Sequence, residues 1–378
     1  MARRAFLHIG TPKSGTTYLQ SLWWQHRDAL AARGLLLPGG DADVQFHAAA
    51  VVRANRDVLA TMGPRQRAAW DRVLAESRQW DGDVLVSQEQ LVEASTEDAA
   101  NAVRRLGEAA DEVHVVITAR DLVRQVPSAW QQRIKHGSPT SLRRFTERVA
   151  KDEPDFNFWT HQDVPRILER WGAGLEPDRM HVVVLPRPGA SKDLLWQRMC
   201  GLLGVDPTGL SLDAPVANET LSPAQIAFHR LVNTHLRNAH LDVARSRRVK
   251  GFMEPRLVAD DAPGARLVLP EDMHAWAVER GNRMADELAA APWHVVGDLD
   301  DLRPDPVRAD GVDPDAVPDD ETLDVALRFI AARLLEQHPP GGAASEAPVA
   351  VREESSAPAE PSSSTALRRV VRRLIGRR

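Results

Sequence analysis

The stretch that most constrains the fold is residues 5–20, AFLHIGTPKSGTTYLQ. A short apolar run is followed by a loop rich in glycine, proline, serine and threonine, and then by a segment whose apolar residues have helical spacing. This order predicts a strand, a tight loop and a helix. The first turn of a helix has backbone N–H groups without intrahelical partners, so an anion is stabilised there. Gly10 and Gly15 would let the backbone approach such an anion closely.

The side chains of this loop are suited to a phosphate group. Thr16 and Thr17 offer hydroxyl donors, and the Lys13 ammonium can lie over the bound oxygens. In the P-loop of nucleoside triphosphatases, G-x-x-x-x-G-K-[ST], the lysine directly follows the second glycine. Here Thr16 occupies that place, and Lys13 lies two residues before Gly15. The sequence therefore favours a different kind of phosphate loop, with a P-loop kinase or nucleotide hydrolase as the alternative.

The rest of the chain alternates strand-like and helical segments, which implies right-handed crossovers and a parallel sheet covered on both faces. We predict further strands at residues 35–37, 84–86, 114–117 and 182–185, and long helical stretches at residues 17–33, 46–80, 271–290 and 321–336. The predicted fold class is α/β, a P-loop-like parallel β-sheet with a mostly helical C-terminal extension and a disordered tail. We expect one domain over residues 1–338, with a core at 5–205 and the extension at 218–338.

Composition limits the class of protein. A hydrophobic content of 43% allows a substantial core, and a net charge of −5 gives no electrostatic case for nucleic acid. One cysteine, Cys200, excludes an internal disulfide framework and a cysteine-based zinc site, and fits a cytoplasmic location. Only a few apolar residues follow Arg3 and Arg4, so we expect no signal peptide, and no run approaches the ~20 apolar residues of a membrane span.

The C-terminal end has a separate character. Residues 339–365 are rich in Pro, Gly, Ala, Ser and Glu, which predicts disorder. Residues 366–378 contain six arginines, and their apolar residues recur at helical spacing opposite four of them. This pattern is typical of a basic amphipathic helix. One hypothesis is that it holds the protein peripherally at the inner surface of an anionic membrane; a solvated helix or a partner-binding helix are the alternatives.

Polar residues follow four of the predicted strands, where ligands of open α/β sheets bind. They are residues 11–17, residues 87–89, Arg120 and Arg187. Ser128 follows Arg120 by eight residues and is preceded by Pro127. Because a proline in a helix interior costs about 3 kcal/mol, we expect Pro127 in a first turn or at a kink. Arg120 could instead form an ion pair with Asp121 or Glu112.

These motifs resemble those of the sulfotransferases that use 3'-phosphoadenosine 5'-phosphosulfate (PAPS). Residues 11–17, TPKSGTT, match the first loop of that family, and Arg120 with Ser128 matches the arginine and serine that bind its 3'-phosphate. The similarity covers roughly residues 5–205. It implies transfer of a sulfuryl group from PAPS to a hydroxyl or amine of a small-molecule, carbohydrate or lipid-linked acceptor, with no metal required.

The resemblance also implies a role for each loop residue. Lys13 would contact the bridging oxygen and stabilise charge on the leaving phosphate. The 5'-phosphate would be held by Ser14, Gly15, Thr16 and Thr17. A late basic loop closes over the nucleotide in cytosolic members, and residues 247–251 are a candidate for it.

An acceptor hydroxyl needs a general base within hydrogen-bond reach. Two residues compete for this role: Glu89, at the end of a predicted strand, and His47, in the segment after the first helix.

A third interpretation of the sequence, besides a sulfotransferase and a kinase, is a non-catalytic nucleotide-binding protein associated with a membrane.

Overall fold

The computed structural model describes residues 1–153, 155–191, 193–213, 221–237, 243–258 and 265–337, without the side chains of residues 243–248, 250 and 258. The strands are β1 (Ala2–His8), β2 (Leu35–Leu36), β3 (Asp83–Ser87), β4 (Ala110–Ala119), β5 (Met180–Val184) and β6 (His294–Val296). The first helices are α1 (Thr16–Gln25), α2 (Arg27–Ala32), α3 (Ala42–Val52), α4 (Arg56–Thr61), α5 (Pro64–Arg67), α6 (Ala69–Gln79), α7 (Thr96–Gly107) and α8 (Leu122–Lys135). They are followed by α9 (Leu142–Ala150), α10 (Phe158–Gln162), α11 (Val164–Trp171), α12 (Leu194–Leu203), α13 (Pro223–Arg237), α14 (Val243–Val258), α15 (Glu271–Ala290) and α16 (Asp319–Gln337).

The six strands form one sheet in the order β2-β3-β1-β4-β5-β6, and every neighbouring pair is parallel. β1 lies at the centre, where Leu7 is in register with Val86 of β3 and Val115 of β4. Parallel strands require crossover connections, and helices provide them here. The predicted α/β class is therefore confirmed. β6 was not predicted, because a three-residue edge strand carries almost no local signal.

Helices cover both faces of the sheet. Successive side chains of a strand point to opposite faces, so each strand contributes apolar residues to both. On one face Phe6 and Val116 pack with Trp23 of α1 and Trp196 of α12. On the other face Leu7 packs among apolar residues of α3, α6, α7, α11 and α15. This double covering explains why the strands read as continuous apolar runs in the sequence.

A third apolar cluster joins the C-terminal extension to the helix that follows β4. Trp130 of α8 is fully buried in it, together with Ile226 of α13, Met253 of α14 and Ala277 of α15. Residues 1–331 form one compact unit, and residues 332–378 form a second unit, of which the structure describes the last residues of α16. In the described part of the chain, no helix is long and apolar enough to cross a membrane.

Several predicted helices have different bounds. Residues 17–33 form two helices, α1 and α2, separated at His26. The stretch 46–80 is divided into α3 to α6, because Asn55 accepts a hydrogen bond from the Val58 N–H as the N-cap of α4, and Gly63 with Pro64 begins α5. By contrast, the long helix predicted at residues 271–290 is confirmed as α15.

Of the two positions expected for Pro127, the first turn is wrong, because Pro127 lies beyond the first turn of α8 and the helix continues for two more turns. A kink at Pro127 stays a prediction. Buried contacts on both sides, including Val126 and Trp130, stabilise the helix despite the missing N–H. Residues 247–251 belong to α14 and are not a loop. The predicted disorder of residues 339–365 and the predicted helix at 366–378 lie outside the described residues.

Candidate functional site

The site lies where the chain leaves neighbouring strands in opposite directions. β1 leads towards β2 on one side of the sheet, and β4 leads towards β5 on the other. Ligands of parallel sheets bind at such a switch point, at the carboxyl ends of the strands. A cavity of about 730 Å³ is found there. Its described lining comprises Lys13, Gly15, Thr16, Thr17, Tyr18, Arg120, Ser128, Gln131, Gln132, Lys135, residues 185–191, Leu195 and Glu254.

The loop after β1 adopts a conformation that depends on left-handed backbone positions. Gly10, Lys13 and Gly15 have φ angles of 95°, 68° and 85°. Gly15 is the N-cap of α1, and a Cβ atom there would lie 2.7 Å from Cδ2 of Leu195. Glycine is therefore required at this position both by the backbone angle and by the close packing. Arg120 stabilises the left-handed backbone conformation of Lys13, because its Nη1 donates to the Lys13 carbonyl at 3.1 Å.

Ser14 is turned into the protein. Its hydroxyl lies 2.5 Å from the Thr11 carbonyl and 2.6 Å from Oγ1 of Thr118, and its side chain is fully buried. Thr118 also contacts His8 at 3.4 Å, and burial lowers the pKa of His8 to about 3, so that its imidazole is neutral. The Ser14 side chain therefore anchors the loop, and only its backbone N–H is available for the phosphate contact predicted from the sequence.

Two glutamines hold the loop from the outside. Nε2 of Gln125 and Nε2 of Gln162 both donate to the carbonyl of Pro12, at 2.5 and 3.2 Å. Gln125 belongs to α8 and Gln162 to α10, so the loop conformation depends on two later helices. No local pattern in the sequence indicates either residue.

Lys13 extends into the cavity. Its Nζ donates to Oε1 of Gln132 at 3.2 Å. The pKa of Lys13 is lowered, first by burial and then by the nearby Lys135 and Arg120 ammonium and guanidinium charges, while Glu89 and Glu254 act in the opposite direction. The Lys13 ammonium thus lies in a partly desolvated position among other charges, where its interaction with an anion is strengthened.

Arg120 and Ser128, which the sequence assigned to one phosphate, are in direct contact. Nη1 of Arg120 donates to Oγ of Ser128 at 3.2 Å. Among the described residues, the buried Nε of Arg120 has no hydrogen-bond partner. The two acids that could have paired with Arg120 have other partners: Asp121 pairs with Arg124, and Glu112 with His114.

Burial lowers the pKa of Arg120 to about 10, and the charge of Arg124 contributes to the shift. A buried guanidinium is costly unless its N–H groups have hydrogen-bond acceptors. Arg120 lines the cavity with an N–H group that has no such acceptor, and in this sense it is acceptor-deficient. This arrangement is suited to a bound anion that would accept hydrogen bonds from both Arg120 and Ser128.

The remaining predicted residues are placed as follows. Thr17 is exposed in the first turn of α1 and lines the cavity, whereas the Thr16 hydroxyl donates to Oε2 of Glu89. Glu89 lies two residues after the end of β3 and begins a short 3-10 helix, Glu89–Glu93. His47 lies on α3, where its Nε2 is 3.0 Å from the Gln66 amide. Neither Glu89 nor His47 is among the described residues that line the cavity.

Other lining residues were not predicted. Gln131, Gln132 and Lys135 follow Ser128 at three, four and seven residues, so they share one face of α8. That spacing could have indicated them once Ser128 was assigned. Tyr18 and Glu254 carried no such signal, since Glu254 reaches the cavity through the packing of α14. Arg187, by contrast, was among the strand-end residues indicated by the sequence, and it lines the cavity and donates to the Asp300 carbonyl.

No family model and no curated protein matches the sequence. Among solved structures, the chain is similar to a sulfotransferase from Alicyclobacillus acidocaldarius, with 16% sequence identity and a TM-score of 0.38. The matched region covers 66% of this chain and 100% of that chain. A likeness this distant carries no argument about function, which has to be inferred from the residues of the cavity.

Proposed function

We propose that this protein is a sulfotransferase that moves a sulfuryl group from PAPS to a hydroxyl or amine of a small-molecule, carbohydrate or lipid-linked acceptor. The observation that supports it is that two groups of residues suited to bind an anion line one cavity. One is the N-terminus of α1 beside Lys13, and the other is the acceptor-deficient Arg120 beside Ser128. PAPS carries phosphates on opposite sides of its ribose, whereas the phosphates of ATP form one continuous chain.

Binding of the nucleotide would satisfy the unpaired groups of the cavity. The 3'-phosphate would accept hydrogen bonds from Arg120 and Ser128. The 5'-phosphate would lie at the N-terminus of α1, where the N–H groups of Gly15, Thr16 and Thr17 point outward. The volume of about 730 Å³ is within the usual range for a site of this kind.

In the proposed reaction the acceptor oxygen or nitrogen attacks the sulfur atom. The bond between sulfur and the bridging oxygen breaks, and its electron pair leaves with 3'-phosphoadenosine 5'-phosphate (PAP). Lys13 donates a hydrogen bond to the bridging oxygen and so stabilises the charge that develops there. The acceptor loses its proton to a general base, so that the products are the sulfated acceptor, PAP and a protonated base.

Glu89 is the better candidate for that base. It accepts a hydrogen bond from Thr16 at the N-terminus of α1, and it is close enough to Lys13 for its charge to act against the net lowering of the Lys13 pKa. A base has to lie within hydrogen-bond reach of the acceptor, which is bound next to the transferred group. His47 is instead hydrogen-bonded to Gln66 of α5. Membrane association through residues 366–378 stays a prediction from the sequence.

The test is calorimetric titration of PAP without metal at fixed salt. We expect micromolar or tighter binding by the wild-type protein and a loss of tenfold or more in Arg120→Ala. Arg283→Ala is the matched control, because that arginine is exposed on α15 and, among the described residues, forms an ion pair with Glu279 at 3.5 Å.

Two results would count against the proposal. Absence of PAP binding by wild type would refute the two-phosphate site, and ATP with Mg²⁺ would then be the next ligand. Equal binding by Arg120→Ala and Arg283→Ala would show that the Arg120 guanidinium does not hold the nucleotide. Ser128→Ala, which leaves the contact between Arg120 and the Lys13 carbonyl in place, separates loss of the phosphate contact from disturbance of the loop.

A further inference from the structure

One face of α8 forms a continuous wall of the cavity. Ser128, Gln132 and Lys135 lie along it in successive turns, and all three line the cavity. Ser128 contacts Arg120, and Gln132 contacts the Lys13 ammonium. Since each helical residue rises about 1.5 Å, Lys135 lies roughly 10 Å along the helix axis from Ser128. The wall therefore begins at the proposed 3'-phosphate position, passes Lys13 and ends at Lys135.

Lys135, the last residue of α8, is unusually buried for a lysine. Its side chain is only 7% exposed, and its Nζ lies 2.8 Å from Oε1 of Glu254, which also lines the cavity. Lysines are rarely buried unless a charge compensates for the lost hydration. Glu254 provides that compensation in the free protein.

Lys135 is also close to Lys13. After burial, its charge is the largest cause of the lowered pKa of Lys13. Two ammonium groups that repel each other in a partly desolvated cavity destabilise the empty site, and a bound anion between them removes that repulsion. The pair of lysines thus indicates an anion at the end of the wall that lies beyond Lys13.

The charges of the whole cavity fit a ligand with several negative groups. Of the described lining residues, Lys13, Arg120, Lys135 and Arg187 are cationic, and Glu254 alone is acidic. Arg120 and Lys13 are accounted for by the two phosphates of the proposed donor, and Arg187 contacts the Asp300 carbonyl and the Asp301 carboxylate. Lys135 is left for the group attached to the bridging oxygen that Lys13 contacts, and in PAPS that group is the sulfuryl.

We infer that Lys135 binds the non-bridging oxygens of the transferred sulfuryl group, and that Glu254 is a positioning residue that holds the Lys135 ammonium. This inference rests on the proposed function. A lysine ammonium is a compact charge with three donors, which suits the oxygens of a sulfuryl group as it moves from donor to acceptor. Glu254 holds the buried Lys135 ammonium in place through their 2.8 Å contact.

The experiment compares two nucleotides that differ only in the sulfuryl group. Affinities for PAP and PAPS are measured by calorimetry without acceptor for wild type, Lys135→Met and Lys151→Met. We expect Lys135→Met to weaken PAPS binding by tenfold or more and to leave PAP binding within twofold of wild type. Lys151, which is exposed at the end of α9, provides the same chemical change away from the cavity, and its variant should bind both nucleotides as wild type does.

A second variant controls for destabilisation caused by an unpaired charge. Lys135→Met leaves the half-buried Glu254 carboxylate without this partner, so the double variant Lys135→Met/Glu254→Gln removes both charges. It should show the same selective loss of PAPS affinity. Glu254→Gln alone should also lower the ratio of PAPS to PAP affinity, which a purely structural contact between α8 and α14 would not change.

The outcomes separate this inference from the function on which it rests. If wild type binds PAP but Lys135→Met and the double variant weaken PAP and PAPS equally, or neither, Lys135 does not contact the sulfuryl group and the inference is wrong while the nucleotide site stands. If wild type binds neither nucleotide, the proposed function fails and the inference fails with it.

Discussion

Replacing Gly15 by alanine tests whether the left-handed loop is what holds the phosphate. Two costs follow from the structure. The backbone angle of +85° is unfavourable for any residue with a Cβ, by about 1–2 kcal/mol. The added Cβ would also lie 2.7 Å from Cδ2 of Leu195 and 3.0 Å from Cδ1 of Leu185, and overpacking of this kind typically costs about 1–3 kcal/mol.

Gly174 allows the two costs to be separated. Its φ angle is +88°, and no heavy atom lies within 4 Å of the position of a Cβ there. Gly174→Ala should therefore carry the backbone cost alone, about 1–2 kcal/mol. Gly15→Ala should be destabilised by about 2–5 kcal/mol in total, because the contacts with Leu195 and Leu185 are added.

The measurements are urea unfolding of both variants and titration of each with PAP. We expect Gly15→Ala to lose PAP affinity by more than tenfold, because a shift of the loop displaces the N–H groups of α1, whereas Gly174→Ala should bind as wild type does. Equal destabilisation of the two variants would refute the packing argument. Normal PAP binding by a folded Gly15→Ala would show that the loop geometry does not form the phosphate site.

Two further predictions concern the base and the buried histidines. With an acceptor identified by screening, Glu89→Gln should reduce turnover by about 10²-fold or more with unchanged PAP affinity, as expected for loss of a general base. His47→Gln should have no such effect. The reverse pattern would assign the base to His47. Burial lowers the pKa values of His8 and His181 to about 3, so the folded state keeps both neutral while the unfolded chain binds protons below about pH 6.5. The free energy of unfolding should therefore lose nothing to these histidines above that pH. Below it, the free energy of unfolding should fall towards pH 3, by up to about 1.4 kcal/mol per pH unit for each histidine. Urea unfolding at pH 7, 6 and 5 measures this, and a flat profile would contradict it.

The sequence alone determined the features whose signals are local. The loop at residues 11–17 is contiguous, and its glycines, lysine and threonines indicate phosphate binding without knowledge of the fold. Arg120 and Ser128 are eight residues apart across a strand end and a helix, and that spacing assigned both to one phosphate; their contact of 3.2 Å is a finding of the structure. The parallel sheet was also predictable, because its central strands are buried on both faces and therefore consist of apolar runs.

Tertiary structure alone decided how those parts are arranged. Ser14 belongs to the loop motif, yet its hydroxyl turns inward because Thr118 of β4 offers it a buried partner. Glu254 reaches the cavity because α14 packs in the apolar cluster around α8. Pro127 remains inside a helix because buried contacts on either side outweigh the missing N–H. Each of these depends on segments distant in the chain, whose packing and hydrogen bonds exceed the local preferences that a sequence pattern records.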